Sequence, residues 1–135
     1  MMQCVRQVCS LAGLTCLDDD QIMRVTRACS GNLSGDCVRI ACSSLGAAEC
    51  NAEDRILEIV VACRANYSGD CLATTCRLVG QASCSDHANV LTLIRSCAGN
   101  VGGGCVLSIC NRVGGPSCDS IAEVSRIAMT CGTGY

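Results

Sequence analysis

The spacing of the cysteines constrains this chain more than any other feature of its sequence. Sixteen of its 135 residues are cysteine, and they form four groups of four with a period of 34 residues, one residue being missing between Cys9 and Cys16. Each unit reads C-x4-C-x7-C-x12-C-x7. A repeat of roughly 20 to 50 residues is typical of stacked supersecondary units. The sequence therefore predicts one repeat domain over 1–135, with units at 1–36, 37–70, 71–104 and 105–135.

Apolar residues follow a helical pattern in two segments of each unit. In the first segment, Val38 and Leu45 share a stripe with Cys42, and a glycine four residues after the second cysteine predicts the end of the helix. These glycines are Gly13, Gly46, Gly80 and Gly114. The second segment begins at capping signals such as those at Asp18, Asp86 and Ser120, and it ends at the last cysteine. No strand pattern intervenes, so we expect an all-α fold, an α-solenoid of four disulfide-stapled 34-residue helical hairpins.

The composition indicates where such a chain is stable. The sequence has no Phe and no Trp, so disulfides must replace the large side chains of an ordinary core, which requires an oxidising environment. The net charge is -2, with ten arginines and no lysine, which argues against nucleic acid or a membrane surface as a partner. No apolar run approaches the roughly 20 residues of a membrane span. We therefore expect an extracellular or secreted protein.

Two disulfide patterns are compatible with the spacing. Both join the second cysteine of a unit to the third. The joint-bridging pattern also joins the fourth cysteine to the first of the next unit, whereas the nested pattern joins it to the first of its own unit. Chain entropy favours the nested pattern by about 1 kcal/mol. The two cysteines of the first helix lie about 140° apart around its axis, however, so they are expected to face different neighbours, which favours the joint-bridging pattern.

The joint-bridging pattern predicts both the internal disulfides and the cysteines left over. It pairs the following residues within the chain: Cys9, Cys16, Cys29, Cys37, Cys42, Cys50, Cys63, Cys71, Cys76, Cys84, Cys97, Cys105, Cys110 and Cys118. Cys4 and Cys131 remain, and we expect them to form an inter-subunit disulfide between copies of the chain. Apolar residues at the two ends are expected to be exposed and to stack head to tail, namely Val5, Val8, Val124, Ile127 and Ala128. The open alternatives are an ordinary monomer and an excerpt of a longer array.

Other candidate chemistry is sparse. The cysteines never occur as the C-x2-C pairs of zinc or iron–sulfur sites, so we expect no metal and no cofactor. His87 is the only histidine, and its place on the exposed first turn of a helix argues against catalysis and against an enzyme. Asp18–Asp20 complement a helix dipole, and Gly102–Gly104 replace a Ser-Gly-Asp turn and favour flexibility.

Two sequons occupy equivalent positions in the first two units. They begin at Asn32 and Asn66, in turns that we expect to be exposed. The sequence therefore predicts possible N-glycosylation at both asparagines, which would make the chain a glycoprotein.

The 34-residue hairpin unit resembles the tetratricopeptide and Sel1-like repeats. The C-x7-C spacing is similar to that of the disulfide-bridged, cysteine-rich Sel1-like proteins of bacteria. The resemblance implies an α-solenoid architecture and carries no ligand or enzymatic activity with it.

These features favour a structural function. We expect an extracellular protein that polymerises head to tail with itself into a disulfide-stabilised filament or matrix fibre. The alternative is a secreted solenoid binding module that holds a peptide or glycan on its concave surface. Binding grooves generally carry aromatic anchors, and this chain has only Tyr67 and Tyr135 to offer.

Overall fold

The computed structural model describes residues 2–11, 16, 18–31, 35–66, 68–100, 102–112 and 117–132, and all the regular structure in these ranges is helical. The all-α prediction is confirmed. Two short 3-10 turns lie at Cys63–Ala65 and Ser83–Ser85. The α-helices are α1 (Met2–Leu11), α2 (Asp19–Cys29), α3 (Asp36–Leu45), α4 (Ala47–Cys50), α5 (Glu53–Ala62), α6 (Asp70–Val79), α7 (His87–Ser96), α8 (Gly104–Cys110) and α9 (Ile121–Cys131).

The longer helices pack as pairs and in two series. The pairs are α1 with α2, α3 with α5, α6 with α7, and α8 with α9, and we call each pair a hairpin. Helices α1, α3, α6 and α8 contact one another in that order, and we call them the A helices. Helices α2, α5, α7 and α9 contact one another in the same way, and we call them the B helices. Each hairpin therefore lies against the next along both series.

The starts of three B helices are fixed by the capping residues expected from the sequence. Asp18 Oδ1 accepts a hydrogen bond from the Asp20 N–H at 2.9 Å, and Asp86 Oδ2 accepts one from the Asn89 N–H at 3.1 Å. Ser120 Oγ accepts from the Glu123 N–H at 3.2 Å. Each side chain satisfies a backbone donor that the first turn of a helix leaves unpaired. The predicted starts of α2, α7 and α9 are thus confirmed.

Two of the predicted glycines end A helices. Gly46 follows α3 and Gly80 follows α6, with φ of +95° and +96°, values that a side chain would strain. Their N–H groups donate to the carbonyls of Cys42 and Cys76, each at 2.9 Å. Gly13 and Gly114 lie outside the described residues.

The core runs through all four hairpins as one cluster. Its largest fully buried side chains are aliphatic, and the cysteines fill much of the remaining space. Val8, Val124 and Ala128 are fully buried and Ile127 nearly so, while Val5 is partly buried. The expectation that these residues form exposed apolar ends is therefore wrong. Their apolar stripes are already covered within their own hairpins and by the neighbouring helices.

Candidate functional site

The disulfides are nested inside the hairpins. An outer bridge joins the start of each A helix to the end of its own B helix, and an inner bridge closes the turn between them. The outer bridges are Cys4–Cys29, Cys37–Cys63, Cys71–Cys97 and Cys105–Cys131. The inner bridges are Cys9–Cys16, Cys42–Cys50, Cys76–Cys84 and Cys110–Cys118.

Of the seven expected internal bridges, four are confirmed and three are wrong. The inner bridges are those expected, but Cys29, Cys63 and Cys97 do not pair with the first cysteine of the next unit. In an antiparallel hairpin the start of one helix lies beside the end of the other, and the Cα atoms of Cys37 and Cys63 are 5.8 Å apart. The two cysteines of helix A do face different neighbours, but both neighbours belong to the same hairpin. Cys37 is bonded to Cys63, just after α5, and Cys42 to Cys50 of the short helix α4.

The expected inter-subunit disulfide is also wrong. Cys4 is bonded to Cys29 and Cys131 to Cys105, so neither sulfur is free to join another chain. All sixteen cysteines are consumed in the eight bridges. No thiolate remains as a nucleophile or a metal ligand, since both roles need an unbridged sulfur.

Asparagine side chains link successive B helices. The Asn66 Nδ2 group donates to the Ile94 carbonyl at 3.1 Å, and the Asn100 Nδ2 group donates to the Ala128 carbonyl at the same distance. Asn66 is 5% exposed, so the expectation of an exposed turn at this residue is wrong. Its amide nitrogen, which would carry the glycan, is buried against the next hairpin. The other predicted acceptor, Asn32, lies outside the described residues.

Glycines allow the turn before one hairpin to approach the A helix of the preceding hairpin. A Cβ atom on Gly69 would lie 3.0 Å from the Cα of Cys37, and one on Gly103 would lie 2.5 Å from the Cβ of Thr74. Gly103 is therefore buried against α6, and the exposed Gly104 is the first residue of α8. The expectation that this run is flexible is therefore wrong at Gly103.

Long polar side chains cap helix ends in the preceding hairpin. Arg64 donates to the carbonyls of Arg27 and Ala28 at the end of α2, at 2.8 and 3.2 Å. Gln81 Nε2 donates to the Ser44 carbonyl near the end of α3 at 2.7 Å. The Arg27 carbonyl also accepts a hydrogen bond from the Ser30 N–H at 3.2 Å. All three carbonyls lie in the last turn of their helices, so the side-chain bonds stabilise the helix ends and the contact between hairpins.

Ion pairs join the B helices on their exposed side. Arg24 Nε donates to Glu53 Oε1 at 2.6 Å, and this hydrogen bond raises the pKa of Arg24 above its ordinary value. His87 Nε2 lies 2.8 Å from Glu58 Oε1. The His87 side chain is 17% exposed, so its expected exposure is wrong, because Glu58 of the preceding B helix covers it.

A shallow apolar trough crosses the outer side of the B helices. One part, of about 760 Å³, is lined by α5, the end of α7 and the residue Ala98 that follows. A second part, of about 440 Å³, lies between α2 and α5 and shares Asp54 and Leu57 with the first. Val61, which lines the larger part, is 46% exposed. The sequence reasoning missed this surface because it assigned the apolar positions of helix B to the core alone.

The described part of the chain contains no group of three His, Cys, Asp or Glu side chains that could hold a metal ion. The acids Asp18–Asp20 lie exposed at the start of α2, where they complement the helix dipole as expected. Among the described helices, none is both long enough and apolar enough to cross a membrane.

The eight disulfides indicate an oxidising environment. No protein-family model, no curated protein and no solved structure matches this chain.

Proposed function

We propose that this chain is an extracellular structural protein. In this proposal it is an α-solenoid of four 34-residue hairpins whose copies associate into a fibre or matrix element. The observation that carries the proposal is the nested pattern, in which every hairpin has its own outer and inner disulfide. A chain built in this way resists unfolding and proteolysis outside the cell without a large aromatic core.

The outer disulfides define how tension would pass along the chain. Force entering at Cys37 crosses directly to Cys63 through their bond, so the intervening helices carry none of it. Only the seven-residue linkers between outer bridges can be drawn out, and these are 30–36, 64–70 and 98–104. At roughly 3.5 Å per residue, each linker extends to about 25 Å. The pattern thus limits extension, which suits a load-bearing structural element.

Association between copies is non-covalent in this proposal. The joints between hairpins combine the continuous apolar core with hydrogen bonds, ion pairs and close backbone contacts, and no disulfide crosses them. A contact that copied such a joint would also lack a disulfide. The disulfides therefore stabilise the subunit and not the bond between subunits.

The trough on the B helices favours a second function, that of a secreted solenoid binding module for a peptide or glycan. Its lining residues supply apolar surface from Leu57 and Val61 and charges from Asp54, Glu58 and Arg95. None of the lining residues is aromatic, and aromatic side chains are the usual anchors of peptides and sugars. This difference makes the structural function the better supported of the two.

Electron microscopy of the purified, oxidised protein over a range of concentrations tests the proposal. We expect fibres or extended sheets that dissolve in SDS without a reducing agent and migrate as the 13.9 kDa chain. A disulfide-linked ladder in the same gel would contradict non-covalent association. Dispersed particles at every concentration would remove the structural function and favour the binding module.

A further inference from the structure

We propose that the trough on the B helices is where a second copy of this chain docks, as a two-fold symmetric dimer. Three of the four exposed large apolar side chains of the described residues belong to B helices: Met23, Val61 and Met129. Leu57 lies one turn before Val61 on α5, on the same face. Leu57 and Val61 line the trough together, and apolar side chains grouped at the surface in this way are typical of an interaction site.

The charges beside the trough select a copy of the chain as its occupant. Arg24 forms an ion pair with Glu53, and Glu58 Oε1 lies within hydrogen-bond distance of His87 Nε2, so these groups already have partners inside the chain. Asp54 and Arg95 also line the trough, and neither forms an ion pair with a described residue. An apolar occupant without charges would leave both of them desolvated and uncompensated.

A two-fold axis brings these opposite charges together. Asp54 lies at the start of α5, whereas Arg95 lies near the end of α7, beside the end of α5. When two copies place their α5 helices antiparallel, the start of one meets the end of the other. Asp54 of each copy then faces Arg95 of its partner, and Val61 and Leu57 pack between the two ion pairs. Such an isologous contact uses the same patch twice.

Sedimentation velocity of the oxidised full chain tests the dimer, with wild type expected at twice the 13.9 kDa mass. Val61→Glu is expected to weaken dimerisation at least about tenfold, since it places a charge in the centre of the contact. Leu107→Glu is the matched control, because Leu107 is 43% exposed but lies on α8, away from the trough. This control is expected to remain dimeric.

A charge exchange identifies the pairing. Asp54→Arg and Arg95→Asp should each weaken the dimer by about tenfold, and the double variant should restore it to within about threefold of wild type. Circular dichroism establishes that each variant is folded. A monomeric wild type, or a double variant as weak as the single ones, would overturn the proposal.

The dimer goes beyond the proposed structural function and fails separately from it. Fibres formed by a chain that is monomeric at low concentration would overturn the dimer and leave the structural function standing. A dimer that forms no fibre at any concentration would do the reverse.

Discussion

The inside of a hairpin and the joint between two hairpins are held by different kinds of interaction. In the hairpin of α3 and α5, one disulfide joins the two helices and another closes the turn. At the joint between α5 and α7, the contacts are the shared apolar core, the Asn66 hydrogen bond and the pair of Glu58 with His87, and no disulfide joins the two helices. The hairpin is closed by disulfides, whereas the joint is held by non-covalent contacts. The period of the cysteines therefore marks the unit that is stabilised and not the contact by which units meet.

Removing an outer disulfide should have the largest effect. The Cys37→Ala/Cys63→Ala variant opens a loop with a sequence separation of 26, and chain entropy assigns this closure about 3.6 kcal/mol. The Cys42→Ala/Cys50→Ala variant opens one with a separation of 8, for which the same relation gives about 2.6 kcal/mol. Urea unfolding followed by circular dichroism measures both. A larger loss from the inner pair would contradict the assigned roles.

Filling the close contact at Gly103 should have the next largest effect. Gly103→Ala adds a Cβ against Thr74 without backbone strain, because its φ is −92°. We expect the free energy of unfolding to fall by about 1–3 kcal/mol from overpacking at the joint. The neighbouring Gly104→Ala is the control, since Gly104 is exposed at the start of α8. The free energy of unfolding of this variant should be unchanged or slightly raised. Equal decreases in the free energy of unfolding of both variants would show that the joint does not depend on the close contact between Gly103 and Thr74.

Removing a joint hydrogen bond should have a smaller effect. Asn100→Ala deprives the Ala128 carbonyl of its side-chain donor. The Asn100 Oδ1 atom is buried without a partner among the described residues, and its removal offsets part of the loss. We expect a net decrease of about 1 kcal/mol in the free energy of unfolding. Asn111→Ala, at an exposed residue, is the control. In urea unfolding, Asn100→Ala should lower the free energy of unfolding more than Asn111→Ala does.

The ion pair on the exposed side of the joint should contribute least. Glu53→Gln removes the partner of Arg24, and we expect a small decrease in the urea midpoint that disappears in about 1 M salt, where exposed charges are screened. Asp70→Asn is the control, because Asp70 is an exposed acid in the first turn of α6 that forms no ion pair among the described residues and lies outside the trough. A decrease that persists in high salt would indicate a packing role for Glu53 instead.

The regular elements were predictable because their signals are local. Capping at Asp18, Asp86 and Ser120 involves residues two or three positions apart, and the glycines after α3 and α6 act on the helices that they end. The inner disulfides were predictable for the same reason, since they close short turns.

The outer disulfides and the joints depend on where one helix lies relative to another, which the spacing does not specify. Asn66 was expected on the surface, yet its partner is a carbonyl 28 residues away on the next B helix. Arg64 caps the preceding hairpin, and its counterparts Ser30, Ala98 and Gly132 cannot do so, so no repeated pattern indicated it. Contacts that differ between repeats leave no periodic signal in the sequence.

Non-reducing tryptic mapping tests the nested hairpin most directly. The oxidised chain is unfolded in urea with free thiols blocked, then cleaved after arginine. The account predicts that peptide 28–39 is linked to peptide 56–64 through Cys37 and Cys63. Peptide 40–55 is closed on itself by Cys42 and Cys50 in both disulfide patterns, so it does not distinguish them. Peptide 28–39 closed on itself, with 56–64 linked instead to 65–77, would place the disulfides across the joints and contradict the account.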